Sequence, residues 1–291
     1  MALLSIRPFE YFEPADLQEA TSLLAKRRGS IKILAGGTDV VPLLKAREIR
    51  PDCIMDISRI VDLDYITTNG DGLRIGALTT HRTLEKSPLI MEKAPVLAEA
   101  VKTIGNVQIR NLGTIGGNLA NASPCADTAP ALIVSRANVK VVNSEMERLF
   151  PVEDFFKFVN ETVLRENDLL TEIQIPSWSP NTVGSFIKLG RRVGHDLSIA
   201  SVAVAISLDG GSCEAIKIAM GSVAPTPLRL NKTETFLIGK RLDDTTLSQA
   251  SELAATEVRP ISDVRASAEY RKIASKVLVQ RAIKTAIGRF K

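Results

Sequence analysis

The stretch Thr114–Asp127 reads TIGGNLANASPCAD and, with Gly113 ahead of it, crowds three glycines into a few residues. Glycine has no Cβ, so a backbone rich in it turns tightly or lies directly against a neighbour. Asn118, Asn121 and Ser123 add short side-chain donors, while Leu119, Ala120 and Ala122 make the segment too apolar for an ordinary solvated loop. Main-chain amides opened in this way suit a diphosphate or another anion. A second stretch, Ala35–Asp39 (AGGTD), offers the same ingredients directly after the apolar run Ile31–Leu34. Two such loops, far apart along the chain, predict one elongated ligand gripped from two sides. Taken singly, each reads first as a tight turn. Neither has G-x-G-x-x-G spacing, and the chain contains no G-x-x-x-x-G-K-[ST] loop.

With 291 residues the chain is long enough for a well-buried core and two domains. A content of 45% hydrophobic and 24% charged residues describes a soluble globular protein. The net charge of +4 is small for this length, no block of five or six like charges occurs, and aromatics are only 4%, so neither a phosphate track nor a stacking platform for nucleic acid is expected. A partner surface or an anionic cofactor accounts better for the basic balance. Cys53, Cys125 and Cys213 lie far apart without a C-x-x-C pair, which argues against a disulfide framework or a cysteine-bound cluster. Cytoplasm is the default compartment. The opening MALLSIRPFEYFEPAD lacks the regions of a signal peptide, and no run is long enough to span a membrane. The two histidines, His81 and His195, and the absence of H-E-x-x-H make a histidine-centred hydrolase or a zinc site hard to build.

In order, Asp16–Lys26 predicts a helix with Asp16 and Glu19 as a capping box. Ile31–Leu34 and Cys53–Ile57 predict strands. Leu73–Ala77 predicts a strand and Thr79–Thr83 a helix start carrying His81. Pro88–Ile104 reads as largely helical, with Pro95 in a first turn or at a kink. Thr128–Ser135 predicts a short helix, Val139–Val142 and Leu169–Ile175 strands, and the prolines at 176 and 180 a domain boundary. Beyond it, Ala200–Leu208 and Cys213–Met220 flank Asp209-Gly210-Gly211, a hairpin signal. Thr245–Val258 and Val264–Ile287 predict helices.

The chain resembles the FAD-binding medium subunits of the molybdenum hydroxylases, the group of xanthine dehydrogenase and aerobic carbon monoxide dehydrogenase. AGGTD at Ala35–Asp39 is similar to that family's first flavin loop and TIGGNLANASPCAD to its second. Ile75–His81 (IGALTTH), Lys188–Asp196 (KLGRRVGHD) and Ser267–Arg271 (SAEYR) match lesser motifs in order and spacing. The resemblance implies an α+β protein: an FAD-binding domain of the vanillyl-alcohol-oxidase (PCMH) type over residues 1–178, built of two α/β subdomains, and a C-terminal antiparallel sheet-and-helix domain over 179–291.

It also implies a site. Ala35, Gly36, Gly37, Thr38 and Asp39 would line the diphosphate, and Thr114, Gly116, Gly117 and Asn118 would hold it from the other side. Asp127 would bond the ribityl–diphosphate part, Ile104 and Leu170 would pack on the cofactor, and Lys188 would approach it. Leu34, Val40, Ala77 and Ser123 complete the implied set. Without the resemblance, Lys188 reads equally as a solvated strand lysine and Asp127 as a helix N-cap. His81 and His195 are expected at the surface or in loops, because this family binds its flavin non-covalently. Cys125 is expected to be a small buried thiol. No cysteine-rich insert stands between Asn118 and Val139, which disfavours the cluster-bearing branch of the family.

By resemblance, the chain supplies FAD to an oxidoreductase and no general acid or nucleophile of its own. A large subunit would hold molybdopterin and a small one two [2Fe–2S] clusters, in a dimer of heterotrimers. Electrons would leave through FAD to NAD⁺, dioxygen or a quinone. A stand-alone flavoenzyme of the same fold and a non-catalytic nucleotide-binding regulator are the alternatives.

Overall fold

The computed structural model describes residues 6–290 apart from 28, 30, 71, 193 and 195. His195 thus lies outside the described residues. The first subdomain is a three-stranded sheet in which Cys53–Asp56 lies between Glu10–Phe12 and Ile31–Leu34, all parallel. Parallel neighbours need a crossover: the helix Val40–Ala46 lies on the one between Ile31–Leu34 and Cys53–Asp56, while the helix Leu17–Lys26 joins the two outer strands. Asp16 accepts from the Glu19 amide at 2.8 Å, while the Glu19 carboxylate accepts from Ala15 N at 2.8 Å, so the capping box closes one residue earlier than expected. Ala20 and Leu24 bury themselves with Met55 and Ile57.

The second subdomain is a five-stranded antiparallel sheet in the order Ile66–Asn69, Gly72–Gly76, Leu169–Ile175, Asn138–Val142, Glu147–Pro151. The central strand Leu169–Ile175 (LLTEIQI) is buried at all but one position, its polar Thr171 and Glu172 included, because it has a neighbour strand on either side. The single helix expected over Pro88–Ile104 is two, Pro88–Lys93 and Pro95–Lys102. Ala94 leaves helical geometry (φ −138°), and Pro95 begins the second helix, the position that tolerates its missing N–H. A larger departure concerns the glycine-rich stretch. It is not a loop: Ile115–Asn121 is helical.

The C-terminal part is an antiparallel sheet in the order Thr182–Leu189, Ala200–Asp209, Ser212–Gly221, Leu228–Arg229. Its hairpin turns at Gly210 and Gly211, whose φ values of +53° and +82° are those a two-residue primed turn demands. Helices Asp244–Glu257 and Ala268–Ile287 cover the sheet. The last helix starts later than the apolar periodicity predicts. Asp263 takes the amides of Arg265 (2.8 Å) and Ala266 (3.3 Å) into a turn, and Ser267 then caps Tyr270 N at 3.1 Å. Phe186, Ala203, Ala205 and Ala219 of this sheet share one buried cluster with Leu97, Val101 and Leu132 of the second subdomain.

Candidate cofactor site

A cavity of about 540 Å³ lies where the three-stranded sheet, the second subdomain and the C-terminal sheet meet. Of the residues the sequence nominates, Ala35–Val40, Ala77, Ile104, Thr114, Gly116, Gly117, Asn118, Ser123, Asp127, Leu170 and Lys188 line it. Leu34 does not. It ends the strand behind the AGGTD turn, with its carbonyl accepting from Ile57 N at 2.9 Å.

The two glycine motifs do different work. In the first, a Cβ on Gly36 would lie 1.7 Å from the Leu112 carbonyl oxygen, so this glycine lets one motif rest on the backbone leading to the other. Gly37 has φ +72°, a conformation that suits glycine. The chain then enters the helix Val40–Ala46. Val41 N bonds Gly37 O at 3.0 Å, whereas the amides of Gly36, Gly37, Thr38, Asp39 and Val40 make no hydrogen bond to another described residue. This is a run of unpaired N–H groups in a cavity wall, the kind of nest that binds anions. Burial raises the Asp39 carboxyl above the usual range, with Lys32 opposing.

In the second motif the amides are already taken. Ile115 N donates to Thr79 O at 3.0 Å, Gly116 N to Ala77 O at 2.9 Å, Gly117 N to Thr114 Oγ1 at 3.1 Å, and Asn118 N to Thr114 O at 3.0 Å. The sequence reading, in which these amides hold the ligand, is corrected here. Gly116 is glycine because a Cβ would meet the Ala77 Cβ at 2.6 Å, so the helix sits flush on the chain leaving strand Gly72–Gly76. What the motif turns to the cavity is a thin, small-residue wall. Asn118 Oδ1 is held by Thr128 Oγ1 at 2.5 Å, which fixes its amide group, and Ser123 Oγ accepts from Cys125 N at 3.2 Å.

Beyond this wall, Lys188 reaches from its strand to Asp127 Oδ2 (2.8 Å) and Thr103 O (2.9 Å). Both partners of the ion pair are buried, and the Ser198 hydroxyl donates to Asp127 Oδ1. Burial pushes the Asp127 carboxyl up, against the pull of Lys188. Lys188 is not solvated, and Asp127 occupies the N-cap position of Thr128–Val134 while its side chain makes no capping hydrogen bond there. Ser198 was missed because a lone serine carries no signal. Arg271, in the SAEYR motif, is only 2% exposed. Its Nη1 donates to Ile199 O (2.6 Å) and Ser222 O (2.9 Å), and its Nη2 pairs with Asp263 at 2.8 Å. It therefore fixes the residue next to Ser198. Its place on the helix face shared with Ala274 and Leu278 could have exposed it as a buried cation.

The expectation for His81 is corrected as well. It is 2% exposed, lines the cavity, and has its pKa lowered to about 4 by burial and by Arg110. Ion pairing explains why Arg110 sits there, since Glu85 holds it at 2.9 Å. Cys125 lines the cavity half-buried, with Sγ 3.8 Å from Ser198 O and 3.9 Å from Arg265 Nη1, so it is less enclosed than expected.

A cavity of this size, lined by apolar side chains and by a nest of free amides, fits a dinucleotide flavin, which has a diphosphate between two ring systems. Comparison with known proteins agrees. Residues 7–178 match the FAD binding domain in molybdopterin dehydrogenase, and residues 185–286 the CO dehydrogenase flavoprotein C-terminal domain. The chain is 36% identical to the glyceraldehyde dehydrogenase medium chain of Sulfolobus acidocaldarius, over 95% of this chain and 97% of that one. It is 34% identical to the carbon monoxide dehydrogenase medium chain of Hydrogenophaga pseudoflava, over 97% and 98%. A solved structure of the carbon monoxide dehydrogenase from the same organism superposes with a TM-score of 0.96 at 34% identity, covering 99% of this chain and 100% of that one. Quinoline 2-oxidoreductase from Pseudomonas putida gives a TM-score of 0.92 at 31% identity, over 97% and 98%. The chain belongs to the family of FAD-binding medium subunits of molybdenum-dependent dehydrogenases.

Proposed function

We propose that this chain holds FAD non-covalently in the described cavity and passes electrons from [2Fe–2S] clusters of a small partner subunit to NAD⁺, dioxygen or a quinone. A large partner subunit carries molybdopterin, the three chains form a dimer of heterotrimers, and the assembly works in the cytoplasm. Residues 1–178 are the flavin domain and 179–291 the C-terminal domain. The observation that carries this reading is the run of unpaired amides from Gly36 to Val40 in the cavity wall. Bound FAD supplies the redox chemistry. The chain's residues bind and orient it: the Gly36–Val40 amides take the diphosphate, and Thr114, Gly116, Gly117, Asn118 and Ser123 form the opposite wall. Ile104, Leu170, Ala77 and Ala35 exclude water. Lys188 and Asp127 pin the C-terminal sheet against the cavity beside the ribityl–diphosphate part.

Acid precipitation of the purified chain is expected to release a yellow cofactor that mass spectrometry identifies as FAD. Flavin left on the pellet, or FMN alone, would overturn the reading. Isolation from the natural host is expected to bring down a cluster-bearing and a molybdenum-bearing subunit. Full substrate turnover by the isolated chain would replace that proposal with a stand-alone flavoenzyme.

A further inference from the structure

Two parts of the cavity wall meet at Gly113. A Cβ at that position would lie 3.2 Å from His81 Cδ2 and 3.4 Å from Thr38 Oγ1. The imidazole edge and the hydroxyl of the AGGTD turn thus border the same small space, the one a side chain at Gly113 would fill. The ring is fixed there. His81 N donates to Gly113 O at 2.9 Å, and Thr80 caps the helix His81–Lys86 that His81 begins. On the far side of the ring, Nδ1 is buried with no hydrogen-bond partner. An orphaned buried N–H is rarer than an under-used acceptor, so the proton of the neutral ring belongs on Nε2. Nε2 is bonded to Cδ2, on the edge that faces Gly113. Among the charged groups around it, Arg110 is engaged by Glu85 at 2.9 Å and by Ile104 O at 2.9 Å, and so supplies a field rather than a hydrogen bond.

We propose that His81 is a positioning residue for the dinucleotide: its Nε2–H donates to an oxygen of the diphosphate held by the Gly36–Val40 amides. The inference rests on the FAD reading above. It gives the cavity a side-chain donor next to a cradle otherwise made of backbone.

The test compares FAD binding by the full chain with that of His81→Leu and His81→Gln, using quenching of flavin fluorescence. One hydrogen bond to a charged group corresponds to a loss of roughly 10- to 100-fold in affinity for the Leu variant. The Gln variant, which keeps an N–H donor, is expected to recover most of that loss. A Leu variant that is folded by circular dichroism and binds FAD like the wild type overturns the proposal. So does a Gln variant that falls as far as Leu, because the side chain then acts by shape alone. Nitrogen-15 NMR of the unsubstituted chain decides the matter where a variant does not fold, with only two histidines to assign. The His81 Nε2–H resonance is expected to move downfield when FAD is added, and an unmoved resonance overturns the proposal. A wild-type chain that binds no FAD refutes the cofactor reading itself, a result visible before any variant is made.

Discussion

His81 shows how one side chain can link the site to solvent pH. In the unfolded chain it takes a proton near pH 6.5, whereas in the folded chain it does so only near 4. Between these values the unfolded state binds more protons, so this contribution to stability is full above about pH 6.5 and is lost as pH falls towards 4. Its size is about 3 kcal/mol. The wild type is therefore expected to lose that much more stability than His81→Gln between pH 7 and pH 4, as read from urea midpoints. Parallel curves for the two proteins would remove the buried, neutral imidazole from the account. Lys188 makes a second prediction at this scale. Lys188→Met leaves Asp127 buried and unpaired, which costs about 3–5 kcal/mol. Adding Asp127→Asn to that variant is expected to return part of the loss, since the second change removes the stranded charge. Strict additivity in the double-mutant cycle would deny the coupling.

Among the elements, the two glycine motifs separate what was legible in the sequence from what was not. The helix Leu17–Lys26, the strand Leu169–Ile175 and the hairpin at Gly210 and Gly211 were readable, because a cap, a short leucine- and isoleucine-rich segment and turn chemistry are local signals. The strands Ile66–Asn69, Glu147–Pro151 and Thr182–Leu189 were not. Each is an edge strand, half-polar or solvent-facing, and owes its extension to the neighbour it pairs with. The cavity's membership was largely readable from the motifs. Which amides stay free was partly hidden, since two of the acceptors that consume the second motif's donors, Ala77 O and Thr79 O, lie far back in the chain. This division predicts unequal effects for one methyl group. Gly36→Ala drives a Cβ into the Leu112 carbonyl, whereas at Gly117 the added atom meets only Thr114 Oγ1, at 2.9 Å. The first is expected to cost roughly 1–3 kcal/mol by overpacking and to weaken FAD binding. The second is expected to cost about 1 kcal/mol through the cap and to leave FAD bound. Equal loss of flavin in both variants, measured beside circular dichroism, would mean that the second motif also contacts the diphosphate through its backbone.

For the molecule as a whole, the shared core decides how far the halves are independent. Phe186 belongs to the cluster of the flavin domain, its amide donates to Glu99 at 2.8 Å, and Arg289 pairs with Glu99 at 2.5 Å. A fragment of residues 1–178 lacks Lys188, Ser198 and Arg271 and exposes the helix Pro95–Lys102. It is expected to retain no FAD on gel filtration under conditions in which the full chain stays yellow. Stable flavin binding by that fragment would make the C-terminal half a dispensable lid.

The reach of Lys188 across the seam also sets a schedule. The ribosome delivers the AGGTD turn and the glycine helix early, but Asp127 meets its ammonium partner only after residue 188 has emerged. The loop bearing Ser198 is fastened only once Arg271, in the last helix, is in place. A nascent chain therefore carries an unfinished pocket until the segment bearing Arg271 has emerged. Flavin uptake is expected to follow the emergence of that segment, so that a ribosome-bound chain stalled before residue 271 stays colourless where one stalled well beyond it takes up FAD.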